Sequence, residues 1–302
     1  MADLGVRFLG DPVAFLEQAG RYLDERPVTA TVVATVAERW RRSGHAPGSP
    51  YDWFAVVEDD GEVVGAAMRT AAFEPHPIYV LDQPEDAARA LARAVVERGE
   101  PVTSVNGLRP AVDVLAAEVA RLRGGDPQVD LHMRLFELGT LRPPAEVATG
   151  RLRRVEDDDL DLAVDWFRRF HRDADKQAGR TAAHSAEGEG DEVVDDVRAR
   201  IAIGTIWLWE DDGGPRHLTA ANPPALGVVR IGPVFTPAEH RGRGYAASAV
   251  SQIAADQRAA GHRVVLFTDQ ANPVSNRLYL GLGFEAVVDT AHLALHRETG
   301  PL

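Results

Sequence analysis

The feature that most constrains this chain is a break at its middle. Gly139-Thr-Leu-Arg-Pro-Pro-Ala-Glu-Val-Ala-Thr-Gly150 sets two consecutive prolines between glycines. Such a stretch loses two backbone donors and fixes φ twice, so it sustains neither a helix nor a sheet interior. It leaves two segments of nearly equal length, residues 1–140 and 151–302, each of ordinary domain size. The first segment predicts a helix over Pro27–Ser43 and a hairpin across Phe54–Met68, turning at Asp60-Gly61, because Asp-Gly between apolar runs is a strong turn signal. A strand at His76–Leu81, a helix at Pro84–Arg98, a strand at Val102–Val105, a helix at Ala111–Arg123 and a strand at Leu131–Leu138 follow.

The second segment reads alike. A strand is predicted at Leu152–Val155, then a helix at Asp158–Arg172 with Leu160, Ala163, Val164, Phe167 and Phe170 on one stripe. A helix at Asp191–Ile203, a strand at Ile206–Glu210 and a longer strand at Ala225–Phe235 come next, with a turn at Asp211-Asp-Gly-Gly-Pro between the two strands. The remainder predicts a helix at Tyr245–Ala260, a strand at Arg263–Thr268, a helix at Pro273–Leu282 and strands at Phe284–Val288 and His292–His296. The shared order argues for a degenerate internal duplication in a mixed α/β (α+β) class.

Composition excludes several functions. The chain has 302 residues, 45% of them hydrophobic, enough for one or two cores. It has no cysteine, which removes a disulfide framework, a thiolate metal site and a cysteine nucleophile. His132, His171, His184 and His292 show no metal-like spacing, so no metal is expected. No apolar run approaches the ~20 residues that span a bilayer, and the first residues lack a signal-peptide pattern, so a cytoplasmic protein is expected. A net charge of −13 disfavours nucleic acid and anionic lipid as partners. Lys176 is the sole lysine, so an arginine here is weak support for a designed phosphate contact. Thr181–Asp196 reads as a solvated loop running into a helix. The acidic runs Glu156–Asp159 and Asp191–Asp196 start predicted helices, where acids are favoured; drawing a cationic amine is their other reading.

The chemistry concentrates in Gly227-Val-Val-Arg-Ile-Gly-Pro-Val-Phe-Thr-Pro-Ala-Glu-His-Arg-Gly-Arg-Gly-Tyr-Ala-Ala247. A strand leads through a polar turn to a glycine pair that opens a helix. The first N–H groups of a helix have no intrahelical partner and carry the positive end of its dipole, which makes this an anion cradle. Gly242 and Gly244 let an anion approach the backbone, and Arg241 and Arg243 add charge beside it. The bland alternative is a solvated Arg-Gly turn. A Walker loop is excluded by the missing Gly-Lys-Ser/Thr. Gly242, Gly244 and Ala247 fit a dinucleotide fingerprint, with Asp269 ending the next strand. That fingerprint wants its first glycine directly after the strand, however, and here Thr236–Arg241 intervene.

What remains is Arg241-Gly-Arg-Gly-Tyr-Ala246, an Arg/Gln-x-x-Gly-x-Gly/Ala pattern, followed by Asn272-Pro-Val-Ser-Asn-Arg-Leu-Tyr-Leu-Gly-Leu-Gly-Phe284. Together these resemble the two signatures of the GNAT superfamily of N-acetyltransferases, over about residues 151–302. The resemblance implies two GNAT-like domains, each a mixed, mostly antiparallel sheet flanked by helices, over 1–140 and 151–302. It implies acetyl-CoA as acyl donor and a small-molecule or peptide amine as acceptor, with direct transfer in a ternary complex. Residues 241–246, including Tyr245 and Ala246, would bind the pyrophosphate. The backbone of Val234, Phe235 and Thr236 would hold pantetheine and polarise the thioester. Tyr279 would be the general acid, and Asn272 and Asn276 would bond the pantetheine arm, although Asn272 before Pro273 is also a good helix cap. Asp269, Glu239, His240 and Glu210 lie near the motif, but none is singled out as the base. The first half reads Asp82-Gln-Pro-Glu-Asp-Ala-Ala88 where the phosphate loop should be, so it implies a degenerate copy that no longer binds acetyl-CoA. A monomer or homodimer is expected. A non-catalytic acyl-CoA-binding module is the reading from another class.

Overall fold

The computed structural model of the chain describes residues 4–44, 51–71, 76–177 and 192–296. Its first run of elements is β1 (Gly5–Leu9), α1 (Pro12–Asp24), α2 (Thr31–Ser43), β2 (Trp53–Asp59), β3 (Glu62–Arg69), β4 (Ile78–Val80), α3 (Glu85–Glu97), β5 (Ser104–Leu108), α4 (Ala111–Arg123) and β6 (Asp126–Leu138). The second run repeats that order: β7 (Arg151–Arg154), α5 (Leu160–Gln177), α6 (Glu192–Ala202), β8 (Ile206–Asp211), β9 (Gly214–Ala221), β10 (Val228–Phe235), α7 (Tyr245–Ala259), β11 (Arg263–Asp269), α8 (Pro273–Gly281) and β12 (Phe284–His296). Helix for helix and strand for strand, the duplication is present.

The two compact units are not consecutive halves of the chain. One comprises the residues up to Leu135 together with those from Val287 onward, and the other comprises Phe136–Ala286. The boundary expected between residues 140 and 151 therefore misses where the chain divides. The physical reason lies in the last strand. β12 pairs antiparallel with β5, from Thr290↔Leu108 to Ala294↔Ser104, which carries the end of the chain into the first unit. Two expected strands, Phe284–Val288 and His292–His296, are this one continuous strand.

In the first unit, β1, β2, β3 and β4 pair antiparallel in sequence order and β4 runs parallel to β5. Its core joins Trp53, Val57, Ile78, Val80, Leu91, Val105, Leu115, Ala291 and Leu293. Sequence reading placed nothing before Pro27. Here β1 and α1 fill that stretch, the helix starting on an Asp11 cap that accepts from the Val13 N–H at 3.0 Å.

In the second unit, β7, β8, β9 and β10 are antiparallel and β10 runs parallel to β11. One face packs on α5 and α6 through Ala163, Val164, Trp166, Phe167, Val197, Leu208, Leu218 and Phe235. The other packs on α7 and α8 through Phe136, Val229, Ile231, Val250, Ile253, Leu266, Tyr279 and Phe284. Burying side chains of this size contributes roughly 1.5–3 kcal/mol each, so both helix layers are held to the sheet. The acidic run before α5 is structural. Glu156 and Asp159 form a capping box, and Asp159 also pairs with Arg153 at 2.5 Å. The other acidic run begins at Asp191, and Asp191, Lys176's neighbours from 178 onward and His184 lie outside the described residues.

Candidate active site

The second unit opens where two strands part. β10 pairs with β11 from Val228↔Arg263 to Ile231↔Leu266 and no further. β10 itself continues to Phe235, with a bulge against β9 between Ile231 and Val234. The edge of the strand beyond Ile231 is thus released from β11, and α8 begins beside the gap. A cavity of about 610 Å³ fills this opening, within the range typical of small-molecule sites. Val234, Phe235 and Thr236 form one wall, Arg241–Ala247 another, and Asn272, Val274, Leu278 and Tyr279 a third.

The glycine loop has the geometry of an anion cradle. Gly242 and Gly244 have φ of 77° and 80°, values that residues with a Cβ rarely adopt. A Cβ added at Gly242 would meet nothing within 4 Å, so the loop's outer face stays open for a ligand. Gly244 is the N-cap of α7 and supplies no side-chain cap. The first intrahelical bond is Ser248 N–H to Gly244 C=O, at 3.0 Å. The N–H groups of Tyr245, Ala246 and Ala247 thus precede the helix's own ladder, beside the cavity that these residues line.

Each side chain of the loop has its own place. Arg241 lines the cavity, and its guanidinium is engaged on both sides: Nε donates to the Thr236 carbonyl at 3.0 Å and Nη2 to Asp173 Oδ2 at 2.7 Å. Asp173 comes from α5 and also lines the cavity, with Phe170. Arg243 is exposed. The Tyr245 side chain points inward and is buried with Trp209 and Ala249. Its hydroxyl donates to Asp211 at 2.5 Å, and that carboxylate pushes the phenol pKa up. Tyr245 therefore offers a ligand its backbone rather than its ring.

Tyr279 lines the cavity from α8, 6% exposed, with its ring edge-on to Phe284 at 6.0 Å. Burial drives its phenol pKa well above 10, which keeps the group a proton donor. Asn272 lines the cavity and also caps α8, its side chain accepting from the Ser275 N–H at 3.1 Å. Asn276, expected on the pantetheine arm, is turned to the backbone instead. Its amide donates to the carbonyls of Asn272 at 2.8 Å and Asp269 at 3.0 Å, and it is absent from the cavity wall. It ties the β11–α8 turn together. Of the four groups considered as base, His240 reaches the cavity. Glu210 is held by Arg153 at 2.6 Å and Arg151 at 3.1 Å. Glu239 lies 3.9 Å from Arg169, and Asp269 accepts from the Ala271 N–H at 2.8 Å.

This geometry meets known proteins at the level of the fold. A family model described as FR47-like protein matches residues 223–293, the stretch from just before β10 into β12. No curated protein matches the chain. Among solved structures, a GNAT-family acetyltransferase from Colwellia psychrerythraea superposes with TM-score 0.58 at 10% identity, covering 97% of this chain and 100% of that one. A GCN5-related N-acetyltransferase from Sphaerobacter thermophilus gives 0.57 at 18% identity, covering 96% and 94%. A tandem GNAT protein from the clavulanic acid biosynthesis pathway gives 0.56 at 17% identity, covering 99% and 100%. The chain carries a tandem GNAT fold.

Within that GNAT fold, the structure adds residues that sequence reading missed. His217 on β9 is wholly buried beneath the cavity wall, with Nδ1 2.7 Å from Thr236 Oγ1 and Nε2 2.6 Å from Thr219 Oγ1. Burial lowers its pKa to about 3, so the imidazole is neutral at any working pH. The miss follows from β9 itself. Gly213-Gly-Pro-Arg-His-Leu reads as turn, and the alternation that marks a strand starts only afterwards. Asp173 and Phe170 were legible as helix residues, but nothing in the sequence aims them at the glycine loop. Among the described residues no group of three or more histidines, aspartates or glutamates could hold a metal, and no helix is long and apolar enough to cross a membrane.

Proposed function

We propose that the second GNAT unit transfers an acyl group, with acetyl-CoA as donor, to an acceptor amine that attacks directly. The observation that carries this reading is the convergence on one cavity of an uncapped helix start, a strand edge released from its neighbour and a buried tyrosine. The residues fit the donor. Three outward N–H groups and two arginines complement a pyrophosphate, and the open face at Gly242 gives it room. The free edge of Val234–Thr236 can hydrogen-bond an amide-bearing arm and support the charge that develops on a thioester oxygen.

In this reading the amine nitrogen forms a bond to the thioester carbon, the carbon–sulfur bond breaks and sulfur leaves with the electron pair. Tyr279, which burial keeps protonated, donates a hydrogen bond to the departing sulfur. A phenol held above its ordinary value stays a weaker acid than an alkyl thiol, so the thiolate takes its proton from solvent. The amine loses one proton to solvent or to a cavity group. Thioester turnover assayed against a panel of amines tests the reading: CoA release that depends on the amine supports transfer. Tight CoA binding without turnover by any amine, and with Tyr279→Phe indistinguishable from wild type, would leave a non-catalytic acyl-CoA-binding module.

A further inference from the structure

Beneath the cavity wall a histidine is bonded on both ring nitrogens to threonine hydroxyls, and only one of those threonines reaches the cavity. Counting protons over Thr219, His217 and Thr236 determines how the chain runs. His217 and Thr219 are both wholly buried. No carboxylate bonds the imidazole among the described residues, so it is neutral, with one N–H and one acceptor nitrogen. If Nε2 carried the proton, Thr219 would accept it, and the Thr219 O–H would then lie buried with no acceptor among the described hydrogen bonds. An orphaned buried donor is costly. The arrangement that satisfies every buried group is the reverse. Thr219 O–H donates to Nε2 across 2.6 Å, and Nδ1–H donates to Thr236 Oγ1 across 2.7 Å. One donor is left over, the Thr236 O–H, and Thr236 lines the cavity.

We infer that Thr219, His217 and Thr236 form a hydrogen-bond chain that fixes the Thr236 hydroxyl as a donor to an oxygen acceptor of the bound acyl-CoA. The inference rests on the acyl-CoA reading and adds a binding group to it. A hydroxyl in water turns freely. Here its oxygen is held by Nδ1–H, so its proton points away from the histidine, and each bond in the chain polarises the next towards the ligand. His217 itself touches no ligand; it is a positioning residue. The acceptor is an oxygen of either the pyrophosphate or a pantetheine amide, and truncated ligands separate the two.

The test uses the full chain. Calorimetry with CoA should show Thr236→Val weakened about tenfold and Thr236→Ser within about twofold of wild type. Repeating it with 3′-phosphoadenosine 5′-diphosphate, which lacks the pantetheine arm, assigns the acceptor: a loss that persists places it on the pyrophosphate, and a loss that vanishes places it on the arm. Independently, nitrogen NMR of the imidazole of wild-type protein should find His217 neutral and protonated on Nδ1, a state that a merely space-filling histidine need not share. Thr236→Val binding CoA as tightly as wild type, or His217 protonated on Nε2, overturns the chain. A wild type that binds no CoA overturns the acyl-CoA reading instead, and the tautomer measurement then decides the hydrogen-bond chain by itself.

Discussion

At the scale of single residues, two buried side chains, one lining the cavity and one beneath its wall, each make a separate prediction. Burial keeps the Tyr279 phenol protonated, and in the proposed reaction it hydrogen-bonds the departing sulfur. Removing the hydroxyl while keeping the ring should slow turnover by about 10²-fold, the scale of one lost hydrogen bond to developing charge, with CoA affinity changed less than about twofold; steady-state kinetics beside calorimetry separates the two. His217 is tied to acid stability. Its folded pKa of about 3 lies below the ordinary value of ~6.5. A depressed folded pKa gives stability that is present above ~6.5 and lost as pH falls towards the folded value. The unfolded chain binds that proton first, so stability should drop by about 1.4 kcal/mol per pH unit below ~6.5 from this group. Denaturant titrations between about pH 6.5 and 5 should show this slope in wild type and its loss in His217→Gln. Equal slopes would show that His217 is not held neutral by the fold.

At the scale of elements, the site is made by the end of β10, the start of α7 and one face of α8, and what was legible in the sequence follows that division. The β10–loop–α7 segment was legible because Gly242 and Gly244 mark a backbone that only glycine adopts readily, and the structure gives both a positive φ. The order of elements in the second half was legible from hydrophobic period. β9 was not, since its proline and glycines mask its strand character, and with it went His217. The bonding of Asn276 was not legible, because a motif gives an amide's position but not its partners, and here three backbone carbonyls lie within its reach. The Arg241–Asp173 pair was equally hidden, since the contact joins α5 to the glycine loop. With its arginine 41% exposed, the pair contributes at most about 1 kcal/mol. It nevertheless competes with a phosphate for the same guanidinium. Asp173→Asn should therefore tighten CoA binding about two- to fivefold in calorimetry, whereas a loss of affinity would make Asp173 a ligand-supporting group.

At the scale of the whole molecule, the duplicated halves have diverged in charge and in how their ends are used. Where the second unit opens α7 with Arg241–Gly244, the first opens α3 with Glu85 and Asp86 in the helix's first turn. Gln83 is 7% exposed there and packs so closely on Gly65 that a Cβ on that glycine would lie 2.0 Å from its amide oxygen. Acidic side chains already occupy the positive end of that helix dipole, so one site per chain is expected. The compact units also do not coincide with the halves. Phe136 and Leu138 are buried in the core that holds Tyr279, and Ala291 and Leu293 in the core of the first unit. Residues 151–302 expressed alone lack the former, and residues 1–150 lack the latter. Losing a buried Phe or Leu costs roughly 2–5 kcal/mol. Each half alone should therefore fail to give a cooperative thermal transition, and two cooperative transitions at the intact protein's temperature would refute this. Net charge of −13 sharpens the central claim, because a chain this acidic can bind a polyanion only through local geometry. Titration of the intact chain with CoA in a calorimeter tests that most directly. The account predicts one site per chain, abolished in the double variant Arg241→Glu, Gly244→Asp while its thermal transition persists. Undiminished CoA binding by a folded double variant would contradict it.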